Sequence, residues 1–272
     1  MNLPDDFVFS QSSLQDYVDC PRRFELHYLI QQRWPAPEVD DLLEHERRMA
    51  LGERFHHLVQ QHQAGIPSEV FQKHIDDTEL REWFTDYLAS GLGSQGVRRA
   101  EVSLTVPLGE YALTAKFDLV VLEGNRALIV DWKTGQTIPK LDTLRQRLQT
   151  VVYRYVLATG GATLNKGQSI TPEQIEMVYW YAAHRGKTLT IPYDGAEVAA
   201  DEARLLALVN EINIRPDFPL TPDVQKCRFC VYRSLCNRGT RAGAFADYDS
   251  DTDHEGLTDF TIDLDQIAEI EF

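Results

Sequence analysis

YALTAKFDLVVLEGNRALIVDWKTG, residues 111–135, decides the fold. Two apolar runs, Tyr111–Leu122 and Arg126–Trp132, flank Glu123–Gly124–Asn125, a turn sequence, and read as an antiparallel strand pair. Each run carries an acid among apolar neighbours: Asp118 between Phe117 and Leu119, and Asp131 after Ala127–Leu128–Ile129–Val130. Side chains alternate along a strand, so Asp131 and Lys133 share a face and Trp132 takes the other. The short turn lets Asp118 lie beside Asp131. Carboxylates set in apolar strands are costly unless paired or metal-bound. Two together suit a hard cation such as Mg²⁺ or Mn²⁺, and a lysine beside them can orient water or balance developing charge. On its own, Asp-x-Lys is more often a salt-bridged strand end. The flanking elements therefore carry weight.

Upstream, Glu101–Val106 adds a third strand across Leu108–Gly109–Glu110 and completes a meander. Helical patterns precede it over Ser12–Gln32, Asp41–Ala64 and Thr78–Ser90, with a Pro-containing break at Trp34–Pro37 and a stop at Gly65–Ile66–Pro67. Downstream, Asp142–Thr159 has Leu144, Leu148, Val152 and Tyr155 at helical spacing. Glu176–Ala183 is the next strand, Thr188–Tyr193 pairs with it, and Ala196–Ile214 is a last helix. No internal repeat is present. Helix, three strands, helix, strand describes an α/β fold, a mixed central sheet with helices on its faces.

These residues resemble the PD-(D/E)XK nuclease superfamily, in its RecB-like branch, whose restriction-endonuclease-like core is αβββαβ. The resemblance implies that Asp118 and Asp131 bind metal and that Lys133 assists catalysis, as in a Mg²⁺- or Mn²⁺-dependent deoxyribonuclease. Ala115 stands in a region where the family often has a glycine. Gly52-x-x-x-His56 resembles the element of the family's first core helix and implies His56 as a third ligand, although His57 is adjacent. The backbone carbonyl of Trp132 is implied as a further ligand. Gln149-x-x-x-Tyr153 resembles the family's Gln/Tyr motif; the spacing puts both on one helix face, and Arg145 extends that stripe. All three are implied as nucleic-acid contacts. Glu101 is either a supporting acid or a solvent-exposed strand start.

The cysteines add a second signal. Cys227-x-x-Cys230 with Cys236 lies late in the chain and Cys20 lies early. One CxxC is ambiguous, and structural zinc sites usually show two close pairs. The spread, together with Ser12–Ser13–Leu14-x-x-Tyr17-x-x-Cys20–Pro21-x-x-Phe24, is similar to the iron–sulfur nucleases of the same superfamily: the AddB C-terminal nuclease domain, exonuclease V and the CRISPR adaptation exonucleases. This implies a structural [4Fe–4S] cluster on Cys20, Cys227, Cys230 and Cys236. Zinc and plain buried cysteines are the alternatives.

The net charge is −15, which argues against strong nonspecific DNA affinity, but its distribution is uneven. Phe245–Phe272 holds ten Asp and Glu and no Lys or Arg. Residues 1–244 therefore read as a single nuclease domain, with a core of about 45–215, and 245–272 as an acidic tail. The tail reads as a weak docking element for a helicase or other protein partner, or as a DNA-mimicking segment. No run approaches the length of a membrane span, and Met1–Ser10 has two acids and no basic residue, so the expectation is a cytoplasmic protein without a signal peptide. The expected substrate is DNA, single-stranded or with free ends, cut by an exonuclease of repair, recombination or defence. The competing readings are a non-catalytic DNA-binding or scaffold subunit of a helicase–nuclease assembly, and a hydrolase of small nucleotides.

Overall fold

The alternating apolar runs become one six-stranded mixed sheet in the computed structural model, which describes residues 3–34 and 42–242. Its strands are β1 (Val8–Ser10), β2 (Val97–Leu108), β3 (Tyr111–Glu123), β4 (Arg126–Lys133), β5 (Ile175–Tyr181) and β6 (Lys187–Pro192). β2, β3 and β4 form the expected antiparallel meander. Its two tight turns need left-handed backbone, which Gly109 (φ 63°) and Gly124 (φ 57°) adopt without steric cost. β5 runs parallel to β4 and antiparallel to β6. A parallel neighbour requires a crossover, and α6 (Leu141–Gln146) and α7 (Leu148–Gly160) provide it.

β3 shapes the region that follows. β2 occupies one of its edges along nearly the whole strand. The other edge is divided. β1 pairs in parallel with Ala112–Thr114, and β4 pairs antiparallel from Leu119 to Glu123. Residues 115–118 lie between these partners, where the sheet forks. β1 is absent from the sequence expectation because three residues are too few for a period of two to register.

Helices cover both faces. α1 (Gln11–Asp19), α7 and α8 (Gly195–Ile214) pack on one face, around Leu14, Phe117, Ile129, Val152 and Leu205. α3 (Leu42–Gln63), α4 (Ser68–Gln72) and α5 (Thr78–Ser90) pack on the other, around Phe55, Phe71, Phe84, Val130 and Trp180. Ser10 opens α1 in a capping box with Ser13, and Asp77 and Asp194 cap α5 and α8. Each such cap contributes about 1 kcal/mol.

Two expected helices are broken. The helix expected over 12–32 stops at Cys20, whose backbone is extended (φ −160°, ψ 108°), because Pro21 disfavours a helical conformation in the residue before it. The chain restarts as α2 (Pro21–Phe24) and a π-helical turn, Glu25–Leu29. The helix expected over 142–159 breaks at Arg147 (φ −61°, ψ 139°), which separates α6 from α7. The acidic tail and most of the Trp34–Pro37 break lie outside the described residues. Among the described residues, no helix is long and apolar enough to cross a membrane.

Candidate active site

The sheet changes face at Asp118. Leu113, Ala115 and Phe117 point into the α7 core, yet Leu119 and Val121 point into the α3–α5 core. β2 slips in the same way: Leu104 and Val106 join the α7 core, and Ala100 packs on the other. Glu101 and Asp118 share the rung between, which the β2–β3 register skips. Glu101 there adopts φ 49°, left-handed backbone in a non-glycine residue. Such a conformation costs about 1–3 kcal/mol and persists only where surrounding packing over-determines it. Asp118 thus sits at a crossover, committed to neither core.

The β3–β4 ladder ends at Leu119↔Val130, so the next rung sets Asp118 against Asp131. Past that point the ladder opens, and the Trp132 N–H donates to Asp118 Oδ2 at 2.9 Å. Trp132 itself turns into the α3–α5 core, against Tyr87 and Trp180. Asp131 and Lys133 turn the opposite way, as alternation requires, and are 3% and 6% exposed.

Gln149, in the first turn of α7, meets both. Its Nε2 donates to Asp131 Oδ1 at 2.9 Å, and Lys133 Nζ donates to its Oε1 at 3.1 Å. Lys133 Nζ also lies 2.9 Å from Asp131 Oδ2, an ion pair that offsets the burial of this carboxylate. Burial pushes the Asp131 carboxyl above the usual carboxylate range, Asp118 adds to that push, and Lys133 and His56 oppose it. A divalent cation shared by Asp131 and Asp118 would add to the compensation that Lys133 provides.

His56 completes the group. Its Nδ1 lies 3.6 Å from Asp118 Oδ2. Phe55, stacked on Trp180 at 5.6 Å, sets the rotation of α3 that points His56 at the sheet. His57 is exposed and bonds Gln61, which separates the two histidines. Gly52 explains the first position of the Gly-x-x-x-His element: a Cβ there would lie 2.8 Å from Thr134 Oγ1, just past Lys133. The side chains of His56 and Asp118 are 34% and 22% exposed, so the group opens to solvent on their side and closes at Lys133. Asp118, Asp131 and His56 offer the oxygen and nitrogen donors that a divalent ion takes. Among the described residues, no group of three or more His, Cys, Asp and Glu side chains is arranged, as it stands, to hold a metal ion.

Gln149 and Tyr153 keep their i, i+4 spacing on α7, but the expected extension of that stripe to Arg145 does not form. The break at Arg147 leaves Arg145 exposed on α6, while Gln149 faces Asp131 and Lys133. Tyr153 is buried, edge-on to Phe117 at 5.1 Å. Glu101 pairs with Lys116 at 2.8 Å. Tyr179, the register partner of Asp131, belongs to no motif and escapes a sequence reading.

Cys20 lies near enough to Cys227, Cys230 and Cys236 to act on each electrostatically, although among the described residues no cysteine group is arranged, as it stands, to hold a metal. Cys20 is buried at the α1–α2 junction, Cys227 is buried, and Cys230 and Cys236 are half-buried; all four are free thiols. Burial pushes the Cys230 thiol up to about 11, and Cys20 and Cys227 add to that push. Cys20 acts in the same sense on Cys227 and Cys236. The Tyr232 hydroxyl donates to the Gln32 carbonyl at 2.9 Å, and Trp34 Nε1 donates to Ser234 Oγ at 2.7 Å, tying this segment to the N-terminal helices.

The model of the PD-(D/E)XK nuclease superfamily matches residues 8–237. No curated protein matches the sequence. Two solved structures are similar: SSO0001, at 15% identity and a TM-score of 0.42 over 87% of this chain and 88% of that one, and a candidate exonuclease from Eubacterium rectale, at 13% identity and a TM-score of 0.44 over 78% and 84%.

Proposed function

The chain belongs to the PD-(D/E)XK nuclease superfamily, and from that premise we propose a Mg²⁺- or Mn²⁺-dependent deoxyribonuclease of the RecB-like branch that cuts DNA from single-stranded ends. One observation carries the reading. Asp118, Asp131, Lys133 and His56 meet at the fork of the sheet, two carboxylates side by side with Lys133 paired to the buried one and His56 on the open side.

Asp118, Asp131, His56 and the Trp132 carbonyl would hold the ion. When bound, it polarises a phosphoryl oxygen and lowers the pKa of an attacking water. Lys133 supplies a fixed positive charge where the phosphate gains negative charge. Gln149 and Asp131 hold its ammonium, so little reorganisation is needed as that charge develops. The half-exposed side at His56 and Asp118 is the approach for the DNA backbone.

The four cysteines extend the reading. The cysteine spacing, together with the electrostatic influence of Cys20 on Cys227, Cys230 and Cys236, is what favours a structural [4Fe–4S] cluster. Protein purified without oxygen should be brown and carry about four irons per chain. Colourless protein with stoichiometric zinc would refute the cluster without touching the nuclease reading.

The activity is tested with end-labelled single- and double-stranded DNA in Mg²⁺ or Mn²⁺. Wild-type protein should degrade single-stranded ends, while Asp131→Asn and Lys133→Ala should retain less than about 1% of that rate. Equal cleavage by the variants would refute the site. No cleavage by wild type in either metal would refute the function.

A further inference from the structure

Beyond the groups that define the site, β5 contributes a tyrosine under it. Tyr179 is paired in register with Asp131 and is fully buried. Lys133 Nζ lies 5.7 Å above the centre of its ring, within the range of a cation–π contact. Its hydroxyl is 2.7 Å from Thr150 Oγ1. Thr150 donates its only hydroxyl proton to the Leu144 carbonyl at 2.5 Å, so the tyrosine must donate to Thr150. The direction of this chain is fixed: Tyr179 to Thr150 to Leu144.

The chain spans the break between the two crossover helices. Leu144 belongs to α6 and Thr150 to the first turn of α7, with the extended Arg147 between them. Gln149, next to Thr150, contacts both Asp131 and Lys133. Fixing Thr150 therefore fixes the turn that presents Gln149. One side chain acts at two points: its ring supports the Lys133 ammonium from below, and its hydroxyl holds the α7 turn that reaches the same ammonium from the side.

We propose that Tyr179, through Thr150, is a positioning residue that sets Lys133 and Gln149 against Asp131. The inference rests on the nuclease reading above. Two considerations separate this role from ordinary core packing. The hydroxyl is spent across a helix break, where the backbone bonds are Arg147 N–H to the Leu144 carbonyl and Val151 N–H to the Arg147 carbonyl, and the hydroxyl chain adds a direct tie from the end of α6 to the start of α7. Moreover, Asp131, Lys133, Gln149, Thr150 and Tyr179 are all buried, so small shifts cannot be absorbed by solvent.

Tyr179→Phe keeps the ring and removes the hydroxyl. Thr150→Val keeps the branched shape and removes the acceptor, and Thr150→Ser restores it. Steady-state cleavage of single-stranded DNA is measured for each, beside thermal melting. Tyr155→Phe serves as control, since its hydroxyl bonds Glu202 on the outer side of α7. We expect Tyr179→Phe and Thr150→Val each to lower kcat about tenfold or more, the loss typical when a group supporting a catalytic side chain is removed. KM should stay within about twofold, because ground-state binding of DNA is untouched. The double variant should be no slower than Thr150→Val alone, which already breaks both the Tyr179–Thr150 and the Thr150–Leu144 bonds. Thr150→Ser should recover most of the rate, and Tyr155→Phe should match wild type. Wild-type kcat in folded Tyr179→Phe and Thr150→Val would overturn the proposal, as would losses no larger than that of Tyr155→Phe at equal melting shift. Absence of cleavage in wild type would instead remove the nuclease reading, so the two failures are distinguishable.

Discussion

Gly52 and Thr134 approach so closely that a methyl group on residue 52 would lie 2.8 Å from Thr134 Oγ1. This contact ties α3 to the exit of β4, one residue past Lys133 and one helical turn before His56. Gly52→Ala must push the helix away or displace the threonine, and overpacking of this kind costs about 1–3 kcal/mol. Displacement of α3 moves His56 away from Asp118. The expected result is a folded protein with a lower melting temperature and a higher metal concentration for half-maximal cleavage. Thr134→Ala in the same chain removes the offending oxygen and should restore both. Normal metal dependence in Gly52→Ala would show that this contact does not place His56.

Gln149 is bonded to Asp131 and Lys133 and is buried, so its effect should fall on the chemical step. Gln149→Ala should lower kcat by about 10–100-fold, the usual cost of losing a partner that orients a catalytic group, and leave KM for DNA nearly unchanged. A raised KM with unchanged kcat would return Gln149 to the role of a nucleic-acid contact.

The left-handed Glu101 stands opposite Asp118 on the rung that the β2–β3 register skips. Its ion pair with Lys116, a largely exposed lysine, adds little stability. The backbone conformation is then the feature that matters. Glu101→Gly accepts the same φ and should change stability by less than about 1 kcal/mol. Glu101→Val cannot adopt it without strain, should cost about 2 kcal/mol or more, and should slow cleavage by moving Asp118. Loss of cleavage in stable Glu101→Gly would instead assign the role to the carboxylate.

His62 gives a pH signature away from the site. Its Nδ1 lies 2.7 Å from the Tyr87 hydroxyl, which also accepts from Gln63. Burial holds the His62 pKa below its ordinary 6.5, and Arg98 acts in the same direction. A depressed pKa means that the unfolded chain takes up the proton first, so stability falls as pH drops below about 6.5 through the lower folded value. His62→Gln should flatten the melting temperature between pH 7 and pH 5. An unchanged slope would place the titration elsewhere.

The parts of the fold that were legible in the sequence have strong periods. Tyr111–Leu122 and Arg126–Trp132 are apolar runs long enough to be read as paired strands, alternation from Asp131 to Lys133 co-orients those two, and the Gly124 turn brings Asp118 beside them. The four cysteines stand out because residue type alone marks them. What escaped depends on partners distant in sequence or on single backbone angles. β1 is a strand only because β3 offers it half an edge. The break at Arg147 is hidden because Leu144 and Leu148 keep a helical spacing across it. The face change at Glu101 and Asp118 leaves both strands alternating on either side, so no pattern reveals it. Tyr179 reads as one more aromatic in a buried strand.

Cys20 tests whether the thiols act as a unit. It joins the α1–α2 junction to a segment roughly 200 residues later, and crosslinking ends that far apart can contribute several kcal/mol by restricting the unfolded chain. If a cluster bridges all four cysteines, Cys20→Ser and Cys236→Ser should each lose most of the iron and fall to the same lower melting temperature. Limited proteolysis should then cut within 221–242, because the bonds from Tyr232 and Trp34 remain but the bridge does not. If the thiols are independent, Cys20→Ser should cost only about 1 kcal/mol, as a small buried side chain exchanged for another does, and Cys236→Ser, at a half-buried position, should cost less. Unequal and small losses would therefore count against any shared ligand, iron or zinc, and equal large losses would count for one.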